Sequence, residues 1–128
     1  MLKGFQQAGA QTLLISGGFT YFTDKLQPRL GLTHTIANVL EVADGKLTGR
    51  VQGDIVDADR KRTELLRLRD ELGLAAHQVV AMGDGANDLP MLHAAGFGVA
   101  CHAKPKVQAE APYCINYVGL DGVLNYFL

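Results

Sequence analysis

Two aspartates four residues apart, in Gly83-Asp84-Gly85-Ala86-Asn87-Asp88, stand directly behind the apolar run Val79-Val80-Ala81-Met82. A buried strand that ends in carboxylates must offer them a cation, hydrogen-bond donors or solvent, because an unpaired charge is costly to bury. Hard carboxylate oxygens of this kind suit Mg²⁺, which accepts few protein carboxylates and completes its shell with water and phosphate oxygen. Each aspartate also has a plainer reading. Asp88 could cap the helix that starts at Leu89 with Pro90 in its first turn, and Asp84 could be a surface turn acid. The alternating acids and distal Glu of an EF-hand are absent.

A second stretch, Ser16-Gly17-Gly18, follows the apolar Thr12-Leu13-Leu14-Ile15. A hydroxyl and successive backbone N–H groups at the end of a strand can hold a phosphate, and glycine lets the backbone approach without a Cβ in the way. The plainer reading is a strand-to-helix turn. Neither a Walker loop nor a GxGxxG pattern is present. Lys61 lies between Arg60 and Arg62 near the start of an amphipathic stretch, where a solvated charged face is the ordinary reading, and charge alone cannot choose among the three cations. Asp57 and Asp59, in Asp57-Ala58-Asp59, open that same stretch, where acids favour the helix dipole. The four histidines have no metal-ligand spacing, and neither Cys101 nor Cys114 sits in a CxxC or nucleophile pattern.

The elements that must position these groups follow from periodicity. Residues 1–11 read as a helix leading into a buried strand over Thr12–Ser16, which enters a loop at the glycines. Phe19, Phe22, Leu26 and Leu30 recur at helical spacing, with Pro28 and Gly31 marking the end. Alternating apolar residues over 39–52 around Asp44-Gly45 predict a hairpin. A helix over Asp57–Leu74 carries Leu65, Leu66, Leu68 and Leu72 and closes at Gly73. Then come a strand at Gln78–Met82, a helix at Leu89–Ala95, a strand at Phe97–Cys101, a helical turn in 106–111, a strand at Cys114–Val118 and a closing helix in 122–127. Strands alternating with helices imply a parallel sheet with helices on both faces. The expected organisation is one domain over residues 1–128, without repeats or linker.

Composition narrows the class. The chain has 128 residues, 48% hydrophobic and 20% charged, which fits a soluble globular protein. With 12 basic against 13 acidic residues the net charge is −1, so no electrostatic footprint argues for nucleic acid or an anionic membrane. No apolar run reaches the roughly 18–20 residues of a membrane helix. The polar opening MLKGFQQAGA does not read as a targeting segment, and the two thiols fit a reduced, cytoplasmic setting.

Taken in order, LLISGGF, Lys61, VVAMGDGANDLPML and HAKPKVQAEA resemble the phosphoserine phosphatases of the haloacid dehalogenase superfamily, and the similarity includes GLTHTIANVLEVADGKLTGRV between the first two. The resemblance implies Mg²⁺-dependent phosphotransfer through an aspartyl-phosphate on a Rossmann-like parallel α/β sheet, with O-phosphoserine as the small-molecule phosphomonoester and serine biosynthesis as the setting. It implies that Ser16 and the Gly17 backbone bind phosphoryl oxygens, with Gly18 in support. It further implies that Lys61 neutralises their charge, Asp84 ligates Mg²⁺, Asn87 contacts substrate and Asp88 braces the loop or the metal's water shell. All of these would serve one phosphoryl group at one rim of the sheet.

The family's first motif, a strand ending in DxDx[TV], supplies the nucleophile and the acid/base group, and the helical cap lies between it and the Ser motif. Neither occurs here before LLISGG. In the family that strand is central, so its removal leaves two strand edges open to self-association or strand swapping, or else the Ser16 and Asp84 strands paired directly. The chain is therefore expected to be an incomplete core, inactive alone for want of a carboxylate nucleophile. Two alternatives remain: a phosphate-binding or regulatory module without a nucleophile, and a phosphatase of the same superfamily acting on another small phosphomonoester.

Overall fold

The computed structural model describes residues 1–127, which divide into two compact units, Leu2–Asp57 and a second from Ala58 onward. The first contains α1 (Leu2–Gln7), β1 (Leu13–Phe19), α2 (Thr20–Leu30), β2 (His34–Ala43) and β3 (Lys46–Gln52). Its sheet has the order β1-β2-β3, parallel between β1 and β2 and antiparallel within the β2–β3 hairpin. Thr12 and Thr33 tie the entry to the parallel pair, each backbone N–H donating to the other's hydroxyl at 3.1 and 3.0 Å. At the hairpin tip Asp44 and Gly45 have φ of 51° and 74°. Two successive positive φ values are what a two-residue type I′ turn requires, and they are why Asp-Gly is favoured there. Gly31 ends α2 in the left-handed region, its N–H returning to the Gln27 carbonyl.

The second unit contains α3 (Ala58–Glu71), β4 (Val80–Gly83), α4 (Leu89–Ala94), β5 (Phe97–Cys101), α5 (Pro105–Glu110), β6 (Tyr113–Ile115) and a 3-10 stretch over Leu120–Phe127. Its sheet is wholly parallel, in the order β4-β5-β6 and without a register slip. Most of the buried apolar side chains lie here: Leu65, Ala81, Met91, Leu92, Val99, Ala100, Val107, Ile115 and Val123 are all buried. The β5 run Phe97–Cys101 is an unbroken apolar stretch because four of its five residues are buried.

The mixed α/β class with parallel pairing is therefore present, and the hairpin falls where the alternating pattern puts it. Several details differ from the periodicity reading. β1 continues through the glycines to Phe19, because its ladder with β2 slips there and then resumes. β2 starts five residues before the hairpin pattern, at His34, because its first half pairs with β1. The α2 stripe has helical spacing but is not a core face: Phe22 is 60% exposed and Leu30 44%, and only Thr23 of that helix is buried. Of the arrangements left open for the Ser16 and Asp84 strands, direct pairing is not found, since β1 and β4 belong to different sheets.

Candidate active site

In the first unit, Ser16, Gly17 and Gly18 occupy the slip in the β1–β2 ladder. Ile15 pairs with Ile36 and Phe19 with Asn38, so β1 spends four steps where β2 spends two. Bulges of this kind turn side chains out of the ladder and occur beside active sites. The Ser16 hydroxyl oxygen accepts the Gly18 N–H at 3.0 Å, and both glycines are exposed. A Cβ on Gly17 would meet only the Val56 carbonyl, at 3.7 Å, an ordinary contact. Packing within the fold thus leaves room for a side chain at 17. Asn38, which the sequence reading missed, is buried beneath this turn and donates from Nδ2 to the Gly17 carbonyl at 2.9 Å. Its only signal was an amide inside an otherwise strand-forming run.

In the second unit, β4 delivers the chain to Asp84, and a 3-10 turn over Ala86–Asp88 leads into α4. The Lys61 ammonium donates to Asp88 Oδ1 at 2.8 Å, and both side chains are only 9% exposed. The other carboxylate oxygen, Oδ2, accepts the N–H groups of Asp84 and Gly85, each at 3.1 Å. Asp88 therefore does not cap α4 with its side chain. It folds the acidic loop back on itself and compensates a buried cation. Gly83 makes this possible, because a Cβ there would lie 2.6 Å from the Asp88 Cβ. The loop so held leaves Asp84 and Asn87 exposed, and no hydrogen bond or ion pair reaches the Asp84 carboxylate among the described residues. The Asp84 charge and burial both push the Cys101 thiol above its ordinary range, burial being the larger cause.

Packing also separates the three neighbouring cations of α3. Lys61 is buried, Arg62 is exposed, and Arg60 pairs with Glu64 at 2.8 Å. Glu64 also receives Arg67 at 2.8 Å. Burial pushes the Glu64 carboxyl up, but the hydrogen bonds and charges of Arg67 and Arg60 outweigh it and hold the group below its ordinary 4.5. A carboxylate depressed on folding adds stability above its unfolded value, and that stability is lost as the pH falls through the folded value. Glu64→Gln is therefore expected to cost about 1–2 kcal/mol at about pH 7. Its deficit should shrink as the pH drops below 4.5. Denaturant midpoints of both proteins across that range check it; a deficit independent of pH would be the wrong outcome.

Asp59 lies in the first turn of α3, where a carboxylate favours the dipole, and Asp57 is exposed just before it. No cluster of three or more His, Cys, Asp or Glu side chains suited to a metal occurs among the described residues. Both cysteines are free, and no helix among the described residues is long and apolar enough to cross a membrane.

The haloacid dehalogenase-like hydrolase family matches residues 1–93. The chain belongs to this family. Among haloacid dehalogenase-like relatives, a phosphoserine phosphatase of Polaromonas sp. is 49% identical over 129 residues, covering 98% of this chain and 55% of the relative. A phosphoserine phosphatase of Haemophilus influenzae is 46% identical over 123 residues, covering 96% of this chain and 39% of the relative. A substrate-bound phosphoserine phosphatase complex of known structure shares the fold at a TM-score of 0.90 and 37% identity, covering 98% of this chain and 60% of that one. The chain thus spans about half the length of the curated relatives it matches.

Proposed function

We propose that this chain carries the phosphoryl-binding and metal-binding part of a Mg²⁺-dependent phosphoserine phosphatase. The observation that carries the reading is the buried Lys61–Asp88 pair, with Asp88 also pinning the Asp84 and Gly85 amides. That arrangement stiffens an acidic loop while leaving the Asp84 carboxylate open. The naming of relatives at 46–49% identity as phosphoserine phosphatases supports the substrate, O-phosphoserine.

The donor set fits Mg²⁺: one exposed carboxylate, Asp84, on a fixed loop, with the remaining positions left to water and phosphoryl oxygen. Bound there, the ion would neutralise charge on the transferring group. In this reading the chain's own residues supply the rest. Ser16 donates its hydroxyl proton to a phosphoryl oxygen, and the Gly17 N–H donates beside it, where packing leaves space. Lys61 brings positive charge, Asn87 contacts the substrate, Asp88 keeps the loop in place and Gly18 supports the serine turn. Phosphoryl transfer passes through a loose transition state with charge spread over the equatorial oxygens, so positioning and countercharge are most of the catalysis.

The sequence contains no DxDx[TV], so it offers no carboxylate of that pattern to form an aspartyl-phosphate. The 128-residue chain alone is accordingly expected to hydrolyse phosphoserine negligibly. Robust Mg²⁺-dependent hydrolysis by the purified chain would refute this. Metal binding is tested separately. Asp84→Asn should abolish Mg²⁺-induced amide shifts over 84–88 while leaving the unfolding midpoint in place, because the wild-type carboxylate is exposed. Mg²⁺ shifts that survive the substitution would remove Asp84 as a ligand.

The absence of DxDx[TV] from these 128 residues leaves a second reading, a phosphate-binding or regulatory module. Phosphate binding by the chain without a phosphoserine-hydrolysing counterpart upstream in its gene would support that one. We place the protein in the cytoplasm and read residues 1–128 as part of a catalytic domain. β1 and β4 each stand at an edge of their own sheet, which suits self-association or strand exchange. A concentration-independent monomer in sedimentation would rule that out.

A further inference from the structure

We infer that Asn38 is a positioning residue that sets the proton direction of the Ser16 hydroxyl, acting through the Gly17–Gly18 peptide; this rests on the reading of Ser16 as a phosphoryl-binding group. The slip in the ladder leaves Ser16, Gly17 and Gly18 without register partners on β2. A peptide unit freed from a ladder can rotate, and glycines on both sides of it impose no preference. Asn38 removes that freedom. It is 6% exposed, its Nδ2 donates to the Gly17 carbonyl at 2.9 Å, and its Oδ1 accepts the Val56 N–H at 2.7 Å. One buried amide thereby ties the turn to the segment just before α3.

The consequence passes through peptide geometry. In a trans peptide the carbonyl of one residue and the N–H of the next point in opposite directions. Holding the Gly17 carbonyl toward Asn38 therefore aims the Gly18 N–H the other way, where it meets Ser16 Oγ at 3.0 Å. That bond occupies an acceptor position of the hydroxyl. A hydroxyl has a single proton and two lone pairs. With a lone pair engaged by Gly18, and no acceptor for the Ser16 proton among the described residues, that proton is free to donate outward. A phosphoryl oxygen takes hydrogen bonds and gives none, so an outward-donating serine is the state it needs.

The residue type matters for the same reason. Asparagine supplies one donor and one acceptor, and both are used. Aspartate has the same shape and keeps the acceptor for Val56, but turns a carboxylate oxygen toward the Gly17 carbonyl. Leucine keeps the volume and loses both bonds.

The test uses the ¹⁵N-labelled chain and inorganic phosphate as probe. In wild type one Asn38 side-chain N–H proton should exchange slowly with solvent, the Gly18 amide should be protected, and phosphate should shift the Gly17 and Gly18 amides. Asn38→Asp should strip protection from Gly18 while Val56 stays protected, and phosphate should bind there roughly tenfold more weakly. Asn38→Leu should strip both amides. A general packing role would instead lower Gly18 and Val56 together in Asn38→Asp. Equal loss at the two amides, or unchanged Gly18 protection and phosphate shifts, overturns the inference. If neither variant folds, the wild-type Asn38 protons decide: exchange of both at solvent rates also overturns it. Failure of phosphate to shift Gly17 and Gly18 in wild type counts against the phosphoryl reading itself, and the protection pattern still judges the Asn38 link.

Discussion

Lys61→Met is expected to lower the unfolding free energy by about 3–5 kcal/mol, the usual result of stripping one partner from a buried ion pair. The reason lies in what remains. Asp88 has 9% of its side chain exposed, and its Oδ1 would lose a charged donor at 2.8 Å. The two amide donors to Oδ2, both at 3.1 Å, satisfy hydrogen-bonding capacity but cannot neutralise a full charge. Most of the loss should therefore come from the stranded carboxylate rather than from the missing ammonium. Combining Lys61→Met with Asp88→Asn tests that attribution. The second change removes the charge and keeps an oxygen for the amides of Asp84 and Gly85, so the double variant should be more stable than Lys61→Met alone. Denaturant midpoints of the three proteins settle the matter, and a double variant weaker than the single would place the cost elsewhere. In the proposed enzyme the same ammonium would face phosphoryl charge, so the stabilised double variant should still fail to bind inorganic phosphate at the acidic loop.

Gly98→Ala is expected to cost about 3 kcal/mol, at the upper end of what overpacking a core does. Gly98 is the second residue of β5, paired with Ala81. A Cβ there would overlap the backbone carbonyl of Leu92, near the end of α4. Leu92 is fully buried and cannot rotate away, and the obstacle is backbone rather than the tip of a flexible side chain. Either α4 or β5 must move, and α4 begins directly after the acidic loop. The variant should accordingly show shifted amide resonances over 84–92 as well as a lower thermal midpoint. A wild-type midpoint would mean that α4 packs less closely on β5 than the fold described here.

Local features were legible in the residues themselves. Asp44-Gly45 specified its turn because few other residues accept two positive φ values in succession. Gly31 marked the end of α2 for a related reason, and Phe97–Cys101 read as a strand because a buried parallel strand needs no polar face. The acidic loop was legible as an abrupt change from apolar strand to Gly-Asp-Gly, and the resemblance to a family was carried by such motifs taken in order. What these signals share is range: each depends on a few consecutive residues.

The partners of the site residues did not show in that way. Nothing in Arg60-Lys61-Arg62 indicates which cation is buried, because the choice depends on which helix face meets an aspartate 27 positions away. Asp88 had an N-cap reading of equal local merit, and only the fold turned its carboxylate toward Lys61 and the loop amides. The slip at Ser16-Gly17-Gly18 and the amide of Asn38 beneath it were invisible for the same reason. Periodicity reports which side of an element is apolar, whereas register and the pairing of distant polar groups are decided when two elements meet and every buried donor must find its acceptor.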